Sequence, residues 1–351
     1  MATVTVVGAG MMGSALCLPL LDAGHQVRLV GTHLDGDIIA SLAASHVHPT
    51  LKLALPEAIR PYGIERIDEA MQGAELIGVG VSSAGIEWAS RTLAPFVLPS
   101  VPIVMITKGL TWDGERLGVL PDALTRHFPA AVAAQLAPVA VAGPCIAGEL
   151  ARRVPSAVVL TGRDRVVLDA VTALLRTDYY FPFVSEDVVG VETCAALKNA
   201  YAMGIAFPTG QHEAQGGQAG SVARHNAESA IFAQALHEMR AWVSALGGGV
   251  DSVLGLAGAG DLDVTTNGGR TGRFGKWLGT GLPLAEAIAK MEGATLECLE
   301  ILSVLRQALP RLEAEGRVRR EALPLLLHMQ EVALDGKPVR VPFEAFFQSA
   351  K

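Results

Sequence analysis

A lysine and an asparagine lie side by side in the middle of an apolar stretch that spans residues 189–204. The stretch is rich in helix formers and has no proline until Pro208, so we predict a core helix that carries Lys198 and Asn199. An ammonium group among apolar neighbours must find a carboxylate or lose its proton more easily than a free lysine does. Such a lysine suits general acid–base chemistry. The alternative is that Lys198 only reaches from a core helix to solvent.

A glycine motif follows the first apolar run of the chain. Residues 3–7 predict a buried parallel strand, after which Gly8, Gly10 and Gly13 form the pattern G-x-G-x-x-G ahead of an apolar helix. In this pattern the first glycine allows a tight turn, the second lets a pyrophosphate approach the backbone, and the third lets helix and strand pack closely. Free N–H groups at the start of the helix then face the anion. We therefore predict a dinucleotide-binding unit, with an ordinary glycine turn as the alternative.

The end of the second predicted strand, residues 25–30, bears on which dinucleotide is bound. An NAD site usually carries an acid there to hold the ribose 2′-hydroxyl, but this chain continues with Thr32 and His33 and has no acid until Asp35. Without that carboxylate nothing repels a 2′-phosphate, to which Thr32 and His33 could donate. Arg28 is the nearest strong cation, but it lies within the predicted strand. We therefore expect NADP or NAD as the cofactor, with NADP favoured.

Two further turns follow predicted strands. Lys108 ends the strand predicted over residues 101–107, and Gly143 follows the strand predicted at residues 139–142. Because ligands in open α/β sheets bind beyond the carboxyl ends of the strands, both residues are candidates to contact one. The segment 46–68 is interpreted as loop with short elements. We interpret its His46 and His48 as solvated, and we predict no metal site, because no cluster of cysteines or carboxylates supports one.

Residues 255–275 are dense in glycine and are interpreted as a loop that lets a ligand approach the backbone. This segment carries Asp261, several hydroxyl groups, Arg270 and Arg273. Arginine binds phosphate through two parallel hydrogen bonds, so a phosphorylated ligand is expected. The alternative is a flexible surface loop.

Strand and helix patterns alternate up to residue 187, and helix patterns alone follow. With 351 residues, this change predicts an α/β protein with an N-terminal Rossmann dinucleotide-binding domain (1–187) and an all-α C-terminal domain (188–351). A formal net charge of −7 without a basic block argues against nucleic-acid binding. Four scattered cysteines fit a reduced cytoplasm, and no long apolar run predicts a membrane span.

Six short motifs occur in order along the chain. They are Gly8-x-Gly10-x-x-Gly13, Lys108-Gly109, Ala142-Gly143-Pro144-x-x-Ala147-x-Glu149, Ala196-Leu197-Lys198-Asn199, Gly258-x-Gly260-Asp261-Leu262, and Gly269-Arg270 followed by Phe274-Gly275. Together they resemble the soluble NAD(P)-dependent glycerol-3-phosphate dehydrogenases, and residues 27–35 are similar to an archaeal-type branch of them. The resemblance implies reversible reduction of dihydroxyacetone phosphate to sn-glycerol 3-phosphate.

The same resemblance implies roles for individual residues. Lys198 would be the general acid–base, Lys108 would contact substrate and cofactor, and Asp261 would position Lys198 and the substrate hydroxyl. Arg270 would clamp the phosphate and touch the cofactor. Further substrate contacts would come from Gly143, Cys145, Asn199, Gly269 and Thr271, and further cofactor contacts from Met11, Met12, Ala147 and Glu297. A homodimer is possible, since the family often forms one.

The chain departs from the family pattern at three places. Thr271 replaces the asparagine that assists phosphate binding, Met12 replaces an aromatic residue, and residues 295–298 differ from the family's Val-Val-Glu-Gly. A threonine reaches less far than an asparagine, so a different phosphorylated ketose or polyol, or a hydroxy acid, stays open as the substrate. A non-catalytic NADP sensor is the alternative of another class.

Overall fold

The computed structural model describes residues 1–218, 224–292 and 295–347. The chain divides into two compact units. The Rossmann unit comprises Met1–Lys108 and Val119–Val188, and the helical unit comprises Gly109–Gly118 and Val189–Lys351. The segment 109–118 thus belongs to the helical unit, whereas the predicted boundary at residue 187 places it in the N-terminal domain.

The strands of the Rossmann unit form one large sheet. In chain order the described strands are β1 (Thr3–Val7), β2 (Gln26–Val30), β3 (Val47–His48), β4 (Leu53–Ala54), β5 (Ile59–Tyr62), β6 (Leu76–Val79), β7 (Ile103–Met105), β8 (Leu110–Trp112), β9 (Leu117–Val119), β10 (Val139–Ala142), β11 (Ser156–Thr161) and β12 (Tyr180–Ser185). The sheet order is β12-β11-β10-β7-β6-β1-β2-β5, and β3-β4 and β8-β9 form separate two-stranded pairs. Neighbouring strands of the large sheet are parallel except β10 and β11, which are antiparallel. The predicted α/β class with a dinucleotide-binding sheet is confirmed.

Helices connect these strands and make up most of the helical unit. The described helices are α1 (Met11–Asp22), α2 (Gly36–Ser45), α3 (Ile67–Met71), α4 (Ile86–Leu93), α5 (Leu120–Thr125), α6 (Ala130–Ala133), α7 (Ala147–Leu150), α8 (Arg165–Leu175), α9 (Val188–Ile205), α10 (Phe207–Ala214), α11 (His225–Leu246), α12 (Asp251–Leu254), α13 (Asp261–Gly268), α14 (Arg270–Gly279), α15 (Leu284–Ala289), α16 (Glu297–Ala314) and α17 (Pro324–Asp335). None of them is both long and apolar enough to cross a membrane.

The central strands are apolar because both of their faces are covered. Successive residues of a strand point to opposite faces, and Val6 and Val7 accordingly belong to two different core clusters. On the next strand, Leu76 and Ile77 divide between the same two clusters. All four side chains are fully buried. A continuous apolar run, rather than an alternating one, is what such a sheet requires.

The segment interpreted as loop with short elements does contain short elements, one of which, β5, pairs in parallel with β2 at the edge of the large sheet. The glycine-rich stretch interpreted as a loop is helical, since a π-helical turn (Leu256–Gly260) leads into α13 and then α14. Its glycines serve helix packing. A Cβ atom on Gly275 would overlap the carbonyl oxygen of Met203 in α9, and one on Gly279 would overlap that of Phe207 in α10.

Replacing Gly275 by alanine should therefore lower the free energy of unfolding by about 1–3 kcal/mol, because α14 must move away from α9. Chemical denaturation of the purified protein measures this change. Gly148→Ala in α7 is a matched control, since its Cβ would meet only the flexible end of Arg152 at 3.5 Å. Equal stability of the two variants would show that close helix packing at Gly275 is not required.

A buried glutamate ties α9 to two other helices. Glu238 of α11 is fully buried and its carboxylate accepts four hydrogen bonds. Tyr201 of α9 donates its hydroxyl at 3.0 Å, Gln234 donates its amide at 2.8 Å, and the N–H groups of Leu325 and Leu326 donate at 2.7 and 2.9 Å. The last two groups begin α17, where a carboxylate is favourable. Tyr201 lies one turn after Lys198, so this network helps to fix the helix that carries the candidate catalytic residue.

Burial raises the pKa of Glu238 from 4.5 to about 7, although its four donors oppose the rise. The folded protein therefore binds this proton more readily than the unfolded chain does. Glu238 should contribute its full share of stability below pH 4.5 and lose roughly 3 kcal/mol of it as the pH rises through 7. Denaturation curves between pH 4.5 and 8 should show that slope in the natural protein and a flatter profile in Glu238→Gln. Identical pH profiles would contradict the assignment.

Candidate active site

The glycine turn of the Rossmann unit has the geometry of a dinucleotide loop. Gly8 has a φ of +110°, and a Cβ there would lie 2.6 Å from the backbone of Gly80. A Cβ on Gly13 would overlap the carbonyl oxygen of Gly8, so α1 can pack against β1 only with glycine there. Gly10 is different, because its φ of −62° suits any residue and a Cβ there would meet nothing within 4 Å. Open space before the N-terminus of α1 is what an approaching pyrophosphate needs.

The residues after β2 are arranged in part as expected. Thr32 is half-buried, and the exposed His33 ring packs edge-on against Trp88 with 5.4 Å between ring centroids. Arg28 donates to the carbonyl oxygens of residues 69, 70 and 72 at the end of α3, so it is held away from this position. Asp35 folds back, and its Oδ2 accepts the N–H groups of Thr32 at 2.8 Å and Ala9 at 3.1 Å. Asp35, the first acid after β2, therefore lies beside the glycine loop, with Oδ2 engaged by these two backbone N–H groups.

Lys108 and Gly143 lie together. They follow the adjacent parallel strands β7 and β10, whose carboxyl ends meet at one edge of the sheet. Lys108 Nζ donates to the carbonyl oxygen of Gly143 at 3.4 Å, and Gly143 has a φ of +105°. Cys145 is half-buried two residues on, and Ala147 begins α7. Met11 and Met12 open α1 and pack partly on the core. The structure thus places several predicted ligand contacts at the carboxyl ends of the central strands.

The helical unit brings the predicted acid–base lysine to its carboxylate. Lys198 Nζ lies 2.8 Å from Asp261 Oδ1 and also donates to Thr265 Oγ1 at 2.8 Å. The side chain of Asp261 is 1% exposed and that of Lys198 is 11% exposed. Removing one partner of a buried ion pair typically costs about 3–5 kcal/mol, because the other charge stays buried. This pairing fixes the ammonium at one point, while a small part of the lysine side chain stays exposed to solvent.

Thr265 was not among the predicted site residues. Asp261 and Thr265 are four residues apart on α13, so they face the same way, and both meet Lys198 on α9. A spacing of four residues places Asp261 and Thr265 on one face only in a helix. Because the glycine-rich composition favours a loop, the sequence alone does not bring the two side chains together.

The residue after Lys198 is also held in place by a hydrogen bond. Asn199 is 4% exposed, and its Nδ2 donates to Glu297 Oε2 at 2.8 Å. Glu297 is the first residue of α16, where a carboxylate is favoured by the helix dipole. The amide and this carboxylate therefore connect α9 to α16 beside the Lys198 pair.

Arg270 begins α14, directly after Gly269. Arg270 is half-buried, and its guanidinium has no hydrogen-bond acceptor among the described residues, whereas many other arginines of the chain pair with a carboxylate. An arginine in the first turn of a helix combines its own donors with the free N–H groups there, which suits a phosphate. Thr271 is the next residue and is 7% exposed.

A cavity of about 630 Å³ opens in the helical unit beside the start of α14, lined by Gly269, Gly272, Arg273 and Lys276 among others. Lys276 is paired with Glu213 at 2.6 Å. Neither Lys198 nor Asp261 lines this cavity, so it is distinct from the buried pair. Across the described residues there is no cluster of histidine, cysteine or carboxylate side chains that could hold a metal ion.

Comparison with known proteins gives matches to both halves of the chain. The family description "NAD-dependent glycerol-3-phosphate dehydrogenase N-terminus" matches residues 3–167, and its C-terminal counterpart matches residues 187–343. The NADP(+)-dependent glycerol-3-phosphate dehydrogenase of Archaeoglobus fulgidus is 34% identical over 291 residues, which cover 82% of this chain and 83% of that one. A glycerol-3-phosphate dehydrogenase [NAD(P)+] of Escherichia coli is 31% identical over 330 residues, covering 93% and 91%.

Solved structures agree. Glycerol-3-phosphate dehydrogenase from Coxiella burnetii superposes with a TM-score of 0.80 at 25% identity, covering 98% of this chain and 97% of that one. The enzyme from Plasmodium falciparum shares the fold with a TM-score of 0.81 at 16% identity, covering 100% and 96%. These findings confirm the resemblance inferred from the six motifs and the predicted class, an NAD(P)-dependent oxidoreductase. The chain belongs to the NAD-dependent glycerol-3-phosphate dehydrogenase family.

Proposed function

We propose that the chain reduces dihydroxyacetone phosphate to sn-glycerol 3-phosphate and catalyses the reverse reaction, with Lys198 as the general acid–base. The observation that carries the assignment is the buried lysine whose Nζ is fixed between Asp261 and Thr265. A sensor that only binds a dinucleotide has no need of an ammonium held at one point inside the protein. The family supplies the reaction class, and this geometry supports Lys198 as the proton donor.

When bound, the reduced nicotinamide supplies the hydride that reaches C2 of the substrate. Lys198 donates a proton to the C2 oxygen as negative charge develops there, and in the reverse direction it accepts the proton of the C2 hydroxyl. Asp261 and Thr265 limit the freedom of Nζ, so the proton is presented from a fixed point. We assign Lys108 to substrate and cofactor contact, supported by its position beyond the end of β7.

The phosphate of the substrate is assigned to the start of α14. Arg270 contributes a planar donor pair and the helix N-terminus contributes its N–H groups. We assign supporting contacts to Asn199, Gly269 and Thr271, in accordance with their positions beside Lys198 and Arg270. Thr271 offers one hydroxyl donor, which suits a small phosphate ester.

For the cofactor we propose NADP and NAD, with NADP favoured. The half-exposed Thr32 and exposed His33 at the end of β2 support this order, as does the naming of the A. fulgidus relative as NADP(+)-dependent. We also propose that the chain forms a homodimer and lies in the cytoplasm. The scattered positions of the four cysteines are compatible with a reducing compartment.

Initial rates of NADPH and NADH oxidation test the proposal, with dihydroxyacetone phosphate compared against a panel of related phosphoketoses. We expect dihydroxyacetone phosphate to give the highest kcat/KM and NADPH to be preferred over NADH. Turnover of a larger phosphoketose alone would show that Thr271 has redirected the site. Tight NADPH binding without turnover of any substrate would favour the sensor.

A further inference from the structure

The environment of His48 in the Rossmann unit differs from the one that we predicted from the sequence. His48, which we expected to be solvated, is fully buried under the glycine loop. Its Nε2 lies 3.0 Å from the carbonyl oxygen of Ala9, between Gly8 and Gly10. The solvated interpretation of His48 is therefore wrong, and the reason is that the turn after β3 folds the ring back towards the start of α1.

The hydrogen bonds of His48 fix which ring nitrogen carries the proton. Nδ1 accepts the N–H groups of Thr50 and Leu51, each at 3.2 Å, so this nitrogen has no proton of its own. The neutral ring then carries its proton on Nε2 and donates it to Ala9. Burial lowers the pKa of His48, which keeps the ring neutral. The ring thus accepts hydrogen bonds from the 48–51 turn at Nδ1 and donates one to the glycine loop from Nε2.

The peptide groups around Ala9 are held on both sides. Its carbonyl oxygen accepts from His48 and from the buried Ser14 hydroxyl at 3.0 Å, and its N–H donates to Asp35 Oδ2 at 3.1 Å. In a planar trans peptide the C=O and the following N–H point in opposite directions. The carbonyl of Ala9 points into the protein, so the N–H of Gly10 points outward. That N–H has no hydrogen-bond acceptor among the described residues, and the space before Gly10 is open.

We propose that His48 is a positioning residue of the dinucleotide site: by holding the Ala9 carbonyl, it aims the Gly10 N–H at the cofactor pyrophosphate. The inference rests on the proposed function, because it needs a dinucleotide at this loop. Ser14 assists from the helix side, and Asp35 anchors the other end of the same residue.

Two substitutions of His48 separate the donor function of Nε2 from the acceptor function of Nδ1. In His48→Gln the side-chain amide reaches the place of Nε2 and can still donate to Ala9, while the acceptor for the turn is lost. In His48→Asn the shorter amide can replace Nδ1 as acceptor, while the donor to Ala9 is lost. We expect the dissociation constant of NADPH, measured by fluorescence titration without substrate, to rise about tenfold in His48→Asn and less than about threefold in His48→Gln. His46→Asn is the matched control and should bind as the natural protein does.

A merely structural role in the 48–51 turn predicts the opposite order, with His48→Gln the weaker binder, and that result would overturn the proposal. Equal binding by both variants and the natural protein would also overturn it. Ser14→Ala removes the other donor to Ala9 with little change in volume, and we expect about threefold weaker NADPH binding. This variant keeps the proposal testable if His48→Asn does not fold, and unchanged binding in it would then count against the proposal. Failure of the natural protein to bind NADPH or NADH would instead refute the proposed function.

Discussion

Replacing Lys198 by alanine is expected to lower kcat roughly a thousandfold, because a general acid–base group contributes about 10²–10⁴ to a rate. The dissociation constant of NADPH should stay within about twofold, since the proposed cofactor contacts come from other residues. Steady-state rates with dihydroxyacetone phosphate and a fluorescence titration of NADPH measure the two quantities. A sensor would show no such difference, because it has no turnover to lose.

The control for this variant must address folding. Removal of Lys198 leaves the carboxylate of Asp261 buried without its cation, which typically costs about 3–5 kcal/mol. The double variant Lys198→Met, Asp261→Asn removes both charges and should recover much of that stability without recovering activity. Lys337→Ala removes an exposed lysine paired with Glu331 and should behave as the natural protein. Turnover in the double variant near that of the natural protein would contradict the role of Lys198.

Replacing Arg270 by alanine is expected to raise KM for dihydroxyacetone phosphate by about a hundredfold or more, since two hydrogen bonds to a charged group are lost at about 1.5–3 kcal/mol each. The effect of Arg270→Ala should be seen only with substrates that carry a phosphate. Unphosphorylated dihydroxyacetone, a poor substrate for either protein, should be turned over equally by Arg270→Ala and the natural protein. Arg273→Ala is the matched control, because Arg273 lies three residues on, is exposed, and lines the separate cavity. A larger rise of KM in Arg273→Ala would show that the phosphate binds in that cavity instead.

The dinucleotide loop could be predicted from the sequence, because each of its glycines is required for a different local physical reason. Gly8 needs a positive φ, Gly13 needs contact with the backbone, and Gly10 needs space in front of the helix. The partnership of Lys198 and Asp261 came from the resemblance to a family, since 63 residues separate them and no local pattern connects them. The structure supplies that contact, and their roles stay predictions.

What the sequence could not predict depends on contacts between distant segments. The glycines of residues 255–275 suggested a loop, but Gly275 and Gly279 are needed for close packing of α14 against α9 and α10. Local composition cannot distinguish a glycine that frees the backbone from one that admits a neighbouring helix. His48 looked solvated for the same reason, because its partner Ala9 lies 39 residues earlier in the chain.

Product analysis in a reaction with limiting substrate tests the central claim most directly. The protein is mixed with dihydroxyacetone phosphate and an excess of NADPH, and the sn-glycerol 3-phosphate formed is quantified beside the NADPH consumed. We expect one molecule of the sn-3 product for each NADPH oxidised, and none with Lys198→Ala on the same timescale. NADPH binding without formation of glycerol 3-phosphate, or a full yield from Lys198→Ala at the natural rate, would contradict the assignment of Lys198 as the acid–base of this reaction.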